Sequence, residues 1–260
     1  MSTPVIPTAY RVTPARVMRS EWHKLWSLRS TWITLISAYM LILGIGILMG
    51  TTYDGDDSDV DTITLVLLGT QLAQIFLAVL GILVTAGEYS TGMIRASLMA
   101  VPRRLPVLWS KAAVFGALVF GLSLVTVFAT FLIAQIFLAG TEQARSLGDP
   151  GIARALFGSA AALTLLGLLA LGLGALVRSV PGAIGAYIGG VLILPEVLAM
   201  LPYDAVSTAM RYFPTKAVEA LTTSQQLPGT ASPGAALLAL ILWAAAAVGA
   251  AGLLLKRRDV

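Results

Sequence analysis

The sequence predicts an all-α integral membrane protein with six transmembrane helices, and three observations predict it. Only 12% of the residues are charged and 57% are hydrophobic, with a mean hydropathy of +0.87. A soluble domain carries about 25% charged residues, so this chain has too little polar surface to cover itself in water. Six apolar stretches are each about 18 residues or longer, enough for a helix rising 1.5 Å per residue to cross a hydrocarbon core of about 30 Å. The stretches also lack the alternation of barrel strands, and only a helix then satisfies every backbone group in lipid. Residues 1–260 are read as a single transmembrane domain, with no internal repeat.

The polar, basic start of the chain is not expected to be a signal peptide, because no cleavage pattern follows its first apolar run. Residues 12–30 predict an amphipathic entry helix capped by Thr13 and opened by Pro14. Met18, Trp22, Leu25 and Trp26 should share its apolar face, with Arg16, Arg19, His23 and Lys24 elsewhere, so that it lies flat on a leaflet. The spans are expected at 32–49, 63–86, 107–138, 156–177, 183–201 and 235–255. The third is long enough to tilt or to begin in the interface. Between the second and third lies "GEYSTGMIRASLMAVPRR", residues 87–104. A short helix is expected over residues 90–99, stopped by Pro102, and Glu88, Gly92 and Arg95 would share a face if it were continuous. Before the sixth span, residues 202–234 predict two short helices, split by Pro214, dipping into the outer interface.

Charge sets the orientation. With both termini in the cytoplasm, only Arg145, Arg154, Arg211 and Lys216 fall outside, and the other 13 of the 17 basic residues fall inside. The acidic run "DGDDSDVD" falls outside. The sequence pI of about 9.6 therefore reports topology and contact with anionic headgroups, not nucleic acid.

Several chemistries are excluded. There is no cysteine, no G-x-x-x-x-G-K-[ST] and no H-E-x-x-H, and the single histidine, His23, lies outside the spans. "DGDDSDVD" departs from the EF-hand pattern at Asp59 and Leu65, so no metal site is expected. The chain is expected to be no enzyme in itself. The candidate path or interface residues are Glu196, which follows Pro195 within the fifth span, and Ser123, Thr126 and Thr130 on one face of the third. Gln71 and Gln74 add polarity to the second span. Gly46/Gly50 and Gly185/Gly189 are G-x-x-x-G pairs that predict close helix packing.

The segment "GEYSTGMIRASLMAVPRRLPVLWSK" resembles the first cytoplasmic loop of type-2 ABC exporter permeases, through Glu88, Tyr89, Gly92, Ile94, Arg95, Pro102, Arg104 and Lys111. "EWHKLWSLRSTW" and "LKRRDV" resemble that family's entry helix and C-terminus. The resemblance implies a permease subunit working as a dimer, most simply a homodimer, with two copies of a separate ATPase subunit. The short helix near residues 92–98 would be the coupling helix that docks on the ATPase. Glu88, Tyr89, Gly92, Ile94, Arg95, Pro102 and Arg104 would be coupling residues. ATP and Mg would be bound by the partner and no cofactor by this chain. Export of a hydrophobic or amphipathic substrate across a bacterial plasma membrane is the implied function. The alternative is a polytopic channel or accessory subunit without nucleotide coupling.

Overall fold

The computed structural model describes residues 13–53, 61–93, 104–225 and 228–257. Among these residues every regular element is a helix, and six helices are long and apolar enough to cross a membrane. The first helix, α1 (Pro14–Ser27), opens on Pro14, whose fixed φ suits the first helical position. Thr13 precedes it in an extended conformation, but its side chain makes no capping bond. At Leu28 the chain turns into α2 (Arg29–Thr52), the first span. The Trp32 indole fastens this corner by donating to the Trp26 carbonyl at 3.1 Å.

The stretch expected as one span over 63–86 is broken and displaced. A five-residue helix, α3 (Thr62–Val66), is capped by Asp61, whose carboxylate accepts from the Thr64 N–H at 3.1 Å. The second span, α4 (Gly69–Ser90), begins after a turn at Leu67 and Leu68. The break falls where the chain crosses α2. A Cβ on Gly69 would stand 2.8 Å from Ile42 Cα, a distance real Cβ atoms do not adopt, so only glycine fits the crossing. The span also runs on to Ser90, which brings Glu88 and Tyr89 into its last turn.

The third span, α5 (Arg104–Leu138), has 35 residues and is about 52 Å long, well beyond the apolar core. Its first turns, Lys111 included, therefore stand at one end of the bundle. The fourth span, α6 (Ile152–Val177), ends on Arg178 in a left-handed conformation, φ 59°. The fifth is composite: α7 (Val180–Tyr187), a π-helical stretch (Ile188–Ile193) and α8 (Leu194–Ala199). Pro195 has no N–H to offer the Val191 carbonyl, and the wider π turn absorbs that interruption. Two short helices follow, α9 (Asp204–Met210) and α10 (Pro214–Thr222), divided at Pro214 as expected. The sixth span is α11 (Pro233–Arg257).

Helices α4 and α6 form the centre of the bundle. Their most apolar windows are 67% and 61% buried, against 22% for the fifth span. The Thr85 hydroxyl, on α4, donates to the Leu171 carbonyl of α6 at 2.9 Å. The Gly46/Gly50 pair packs α2 onto α5, where a Cβ on Gly50 would stand 3.3 Å from Ala134 Cα. The Gly185/Gly189 pair faces open space, with nothing within 4 Å of either position.

Contacts sort the chain into two ends. At one end Glu88, Lys111 and Leu255 line a single small cavity of about 20 Å³, so α4, α5 and α11 meet there, and α1 packs against the start of α5. At the other end Thr62 bonds Gln143, and Asp61 accepts from the Ser224 N–H at 3.2 Å and from the Ser224 hydroxyl. Arg154 donates to the Thr223 and Ser224 carbonyls at 3.1 and 2.8 Å. Six helices that each crossed a bilayer would alternate in this way.

Candidate functional site

Four charged side chains from three helices meet at the first end. Lys111 of α5 reaches Glu21 Oε2 of α1 at 2.6 Å and Glu88 Oε1 of α4 at 2.8 Å. Lys24 of α1 contacts Glu21 Oε1 at 2.7 Å and Glu88 Oε1 at 3.1 Å. The residues Glu21, Glu88 and Lys111 are each 4–7% exposed. Burial at this level is tolerable only because each charge has a partner of opposite sign. Two acids and two bases leave the cluster neutral as a whole.

Its geometry follows from three local choices. Val17, Glu21 and Leu25, four residues apart, are the buried face of α1. The apolar face predicted from Met18, Trp22, Leu25 and Trp26 is thus divided. Leu25 packs inward, and Met18, Trp22 and Trp26 are exposed on the side away from the bundle. The indoles of Trp22, Trp26 and Trp32 pack against one another along that side, tilted and then edge to face, with centroids 5.4 and 4.4 Å apart. On α4, the extension to Ser90 keeps Glu88 in the helix, buried one turn beyond Val84. On α5, the overlong helix brings Lys111 level with both acids.

Burial alone would lower the Lys24 pKa. The Glu21 hydrogen bond and the nearby Glu88 charge outweigh it and hold the group above the ordinary 10.5. The Glu88 carboxyl keeps one atom unused: Oε2 is buried and has no hydrogen-bond partner among the described residues.

Other predicted residues are placed as follows. Tyr89 lies next to the cluster, and the Arg178 guanidinium sits 5.0 Å from its ring centroid. Gly92 does not continue the helix that carries Glu88. It has φ 74° and forms a turn beyond Ser90, a conformation that suits glycine, so Glu88 and Gly92 share no continuous helical face. Ile94, Arg95 and Pro102 lie outside the described residues, as does most of the short helix expected over 90–99. Arg104 opens α5. Ser123 is fully buried, 3.1 Å from the Tyr39 hydroxyl, which donates to the Val119 carbonyl at 3.2 Å. It bridges α2 and α5. Thr130 is fully buried against Gly46, and Thr126 is half-buried on the same helix. Glu196 is exposed in the first turn of α8, far along the chain from the cluster.

No family model matches the chain, and a search of curated proteins finds no match. Sequence reasoning missed Glu21 and Arg178 as participants and counted Lys24 and Arg178 only as orienting charges. A signal for Glu21 was present: an acid inside a basic helix, four residues from an apolar residue on each side, belongs to the buried stripe and needs a buried partner.

Proposed function

We propose that this chain is the transmembrane subunit of an ATP-driven exporter of the type-2 ABC class, coupled through residues 87–111 to a separate ATPase. The observation that carries the reading is the ion-pair cluster. Glu88 stands in the last turn of α4 and Lys111 near the start of α5, on either side of the segment that joins the two helices, and these two side chains bind each other directly. A force applied to that loop reaches the ends of α4 and α5 together. Through Glu21 and Lys24 it reaches α1 as well, and α1 runs into the first span. A loop serving only to orient the spans has no need of such a junction. The sequence resemblance supplies the motive partner, and ATP with Mg would be held there.

In this reading both termini and the cluster face the cytoplasm of a bacterial cell, α1 lies in the inner interface on its tryptophans, and α9 and α10 sit in the outer one. The fifth span, the least buried, faces a second copy of the chain, which gives Glu196 a setting other than lipid. A hydrophobic or amphipathic substrate suits the sparsely polar spans.

Coexpression with the candidate ATPase and copurification in mild detergent tests the reading. Arg95→Glu and Glu88→Arg should each lower the retained ATPase, or its substrate-stimulated turnover, by about tenfold or more, the loss of one charged contact. Unchanged assembly and turnover in both variants would favour the channel or accessory subunit.

A further inference from the structure

Among the described residues, Arg178 is the only non-glycine at positive φ, with φ 59° and ψ 14°. The other positive φ angles belong to Gly92, Gly140, Gly151 and Gly229. In this left-handed region a Cβ crowds the following carbonyl oxygen, so helices that end this way usually end on glycine. The turn needs the conformation. Only Arg178 and Ser179 separate α6 from α7, and the Arg178 N–H closes α6 by donating to the Gly174 carbonyl at 3.0 Å. The turn does not need the side chain. A charge that only oriented the spans could stand at Ser179, where the backbone is extended, φ −134°, and unstrained. What the side chain gains at 178 is the ring of Tyr89. The guanidinium carbon stands 5.0 Å from the ring centroid, and both residues are half-buried. Val180, the first residue of α7, lines one cavity with Gly87, Thr91 and Met93, so the turn lies against the end of α4.

We infer that Arg178 is a positioning residue, which holds the end of α4 against the α6/α7 turn and so ties the fifth span to the loop that follows Tyr89. The inference rests on the exporter reading and deepens it. The ion-pair cluster joins that loop to α1 and α5, but none of its four members stands on α6 or on the fifth span. The contact between Arg178 and Tyr89 supplies that connection. With two residues between α6 and α7 the turn has no slack, so a displacement of Tyr89 moves the start of α7. Glycine would relieve the strain at 178 and release Tyr89, which is why the strained residue is retained.

The full chain, copurified with the candidate ATPase and reconstituted in nanodiscs with ATP as the only ligand varied, tests it. Arg178→Gly relaxes the turn and removes the cation. It should retain the ATPase and melt no lower than the wild type. It should nonetheless lose about threefold in kcat for ATP hydrolysis with KM for ATP unchanged, the worth of one half-buried cation–π contact. Tyr89→Leu removes the ring without altering the charge or the turn and should lose as much. The double variant should lose no more than either single one, as two residues acting through one contact require. Wild-type kcat in Arg178→Gly, losses that multiply in the double variant, or a lower melting temperature in Arg178→Gly each overturn the inference. A wild type that retains no ATPase sinks the exporter reading and this inference with it. A wild type that drives the ATPase while Arg178→Gly drives it equally sinks the inference alone.

Discussion

At the scale of single residues, the two lysines of the cluster do different work. Lys111 is 6% exposed in its side chain and lies between Glu21 and Glu88, one acid on each neighbouring helix. Removing it leaves two buried carboxyl groups facing each other with only Lys24 to share. Lys24 is 26% exposed, and water can replace part of what it provides. Lys111→Met should therefore cost about 3 kcal/mol of stability, in the range for breaking a buried pair. Lys24→Met should cost less than about 1 kcal/mol, the range for exposed pairs. Thermal denaturation in detergent checks the order, and equal losses would mean that the cluster is wetter than its geometry indicates. The Lys24 pKa adds a pH test. Its folded value is raised above 10.5, so its contribution is complete below that pH and disappears as pH rises through the folded value. The gap between wild type and Lys24→Met should stay constant from about pH 6 to about pH 10 and close only above it.

At the scale of helices, the six spans were legible because a long apolar run has one solution in lipid, and the split at Pro214 because proline has one usual place at a helix start. What was not legible depended on a neighbour. The break before Gly69 exists because α2 passes too near for a side chain, and nothing in residues 62–69 states where α2 lies. Ser123 reads as a point on a path or a bridge between helices, and only Tyr39 standing opposite shows which helix it meets. The two G-x-x-x-G pairs look alike in sequence, yet one is packed and the other open. They predict different outcomes. Gly50→Leu inserts a side chain against the Ala134 backbone and should unfold the α2/α5 contact, lowering the melting temperature of the monomer. Gly185→Leu meets nothing and should leave the monomer unchanged. If the fifth span faces a second copy, the same substitution should shift the detergent-solubilised chain from dimer to monomer in size-exclusion chromatography with light scattering. A monomer already in the wild type, or an unchanged dimer in Gly185→Leu, would put that interface elsewhere.

At the scale of the whole molecule, charge and contact agree on one division. The described helices place Arg16, Arg19, Lys24, Arg29, Lys111, Arg178, Lys256 and Arg257 toward the end that holds the ion-pair cluster. Arg145 and Arg154 sit toward the other end with Asp61 and Ser224, and Arg211 and Lys216 lie on the segment that carries α9 and α10. Basic segments stay on the cytoplasmic side, so the cluster end should face the cytosol. The exporter reading requires this, because an ATPase can reach residues 87–111 only from there. The chain contains no cysteine, so single cysteines can be placed without background labelling. Ala144 and Lys256 are exposed at opposite ends. In intact cells a membrane-impermeant maleimide should label Ala144→Cys and leave Lys256→Cys unlabelled until the membrane is opened with detergent. The reverse pattern would place the cluster outside and remove the ATPase from the mechanism. Labelling of both in intact cells would mean that the two ends lie on the same side, and the count of six crossings would have to change.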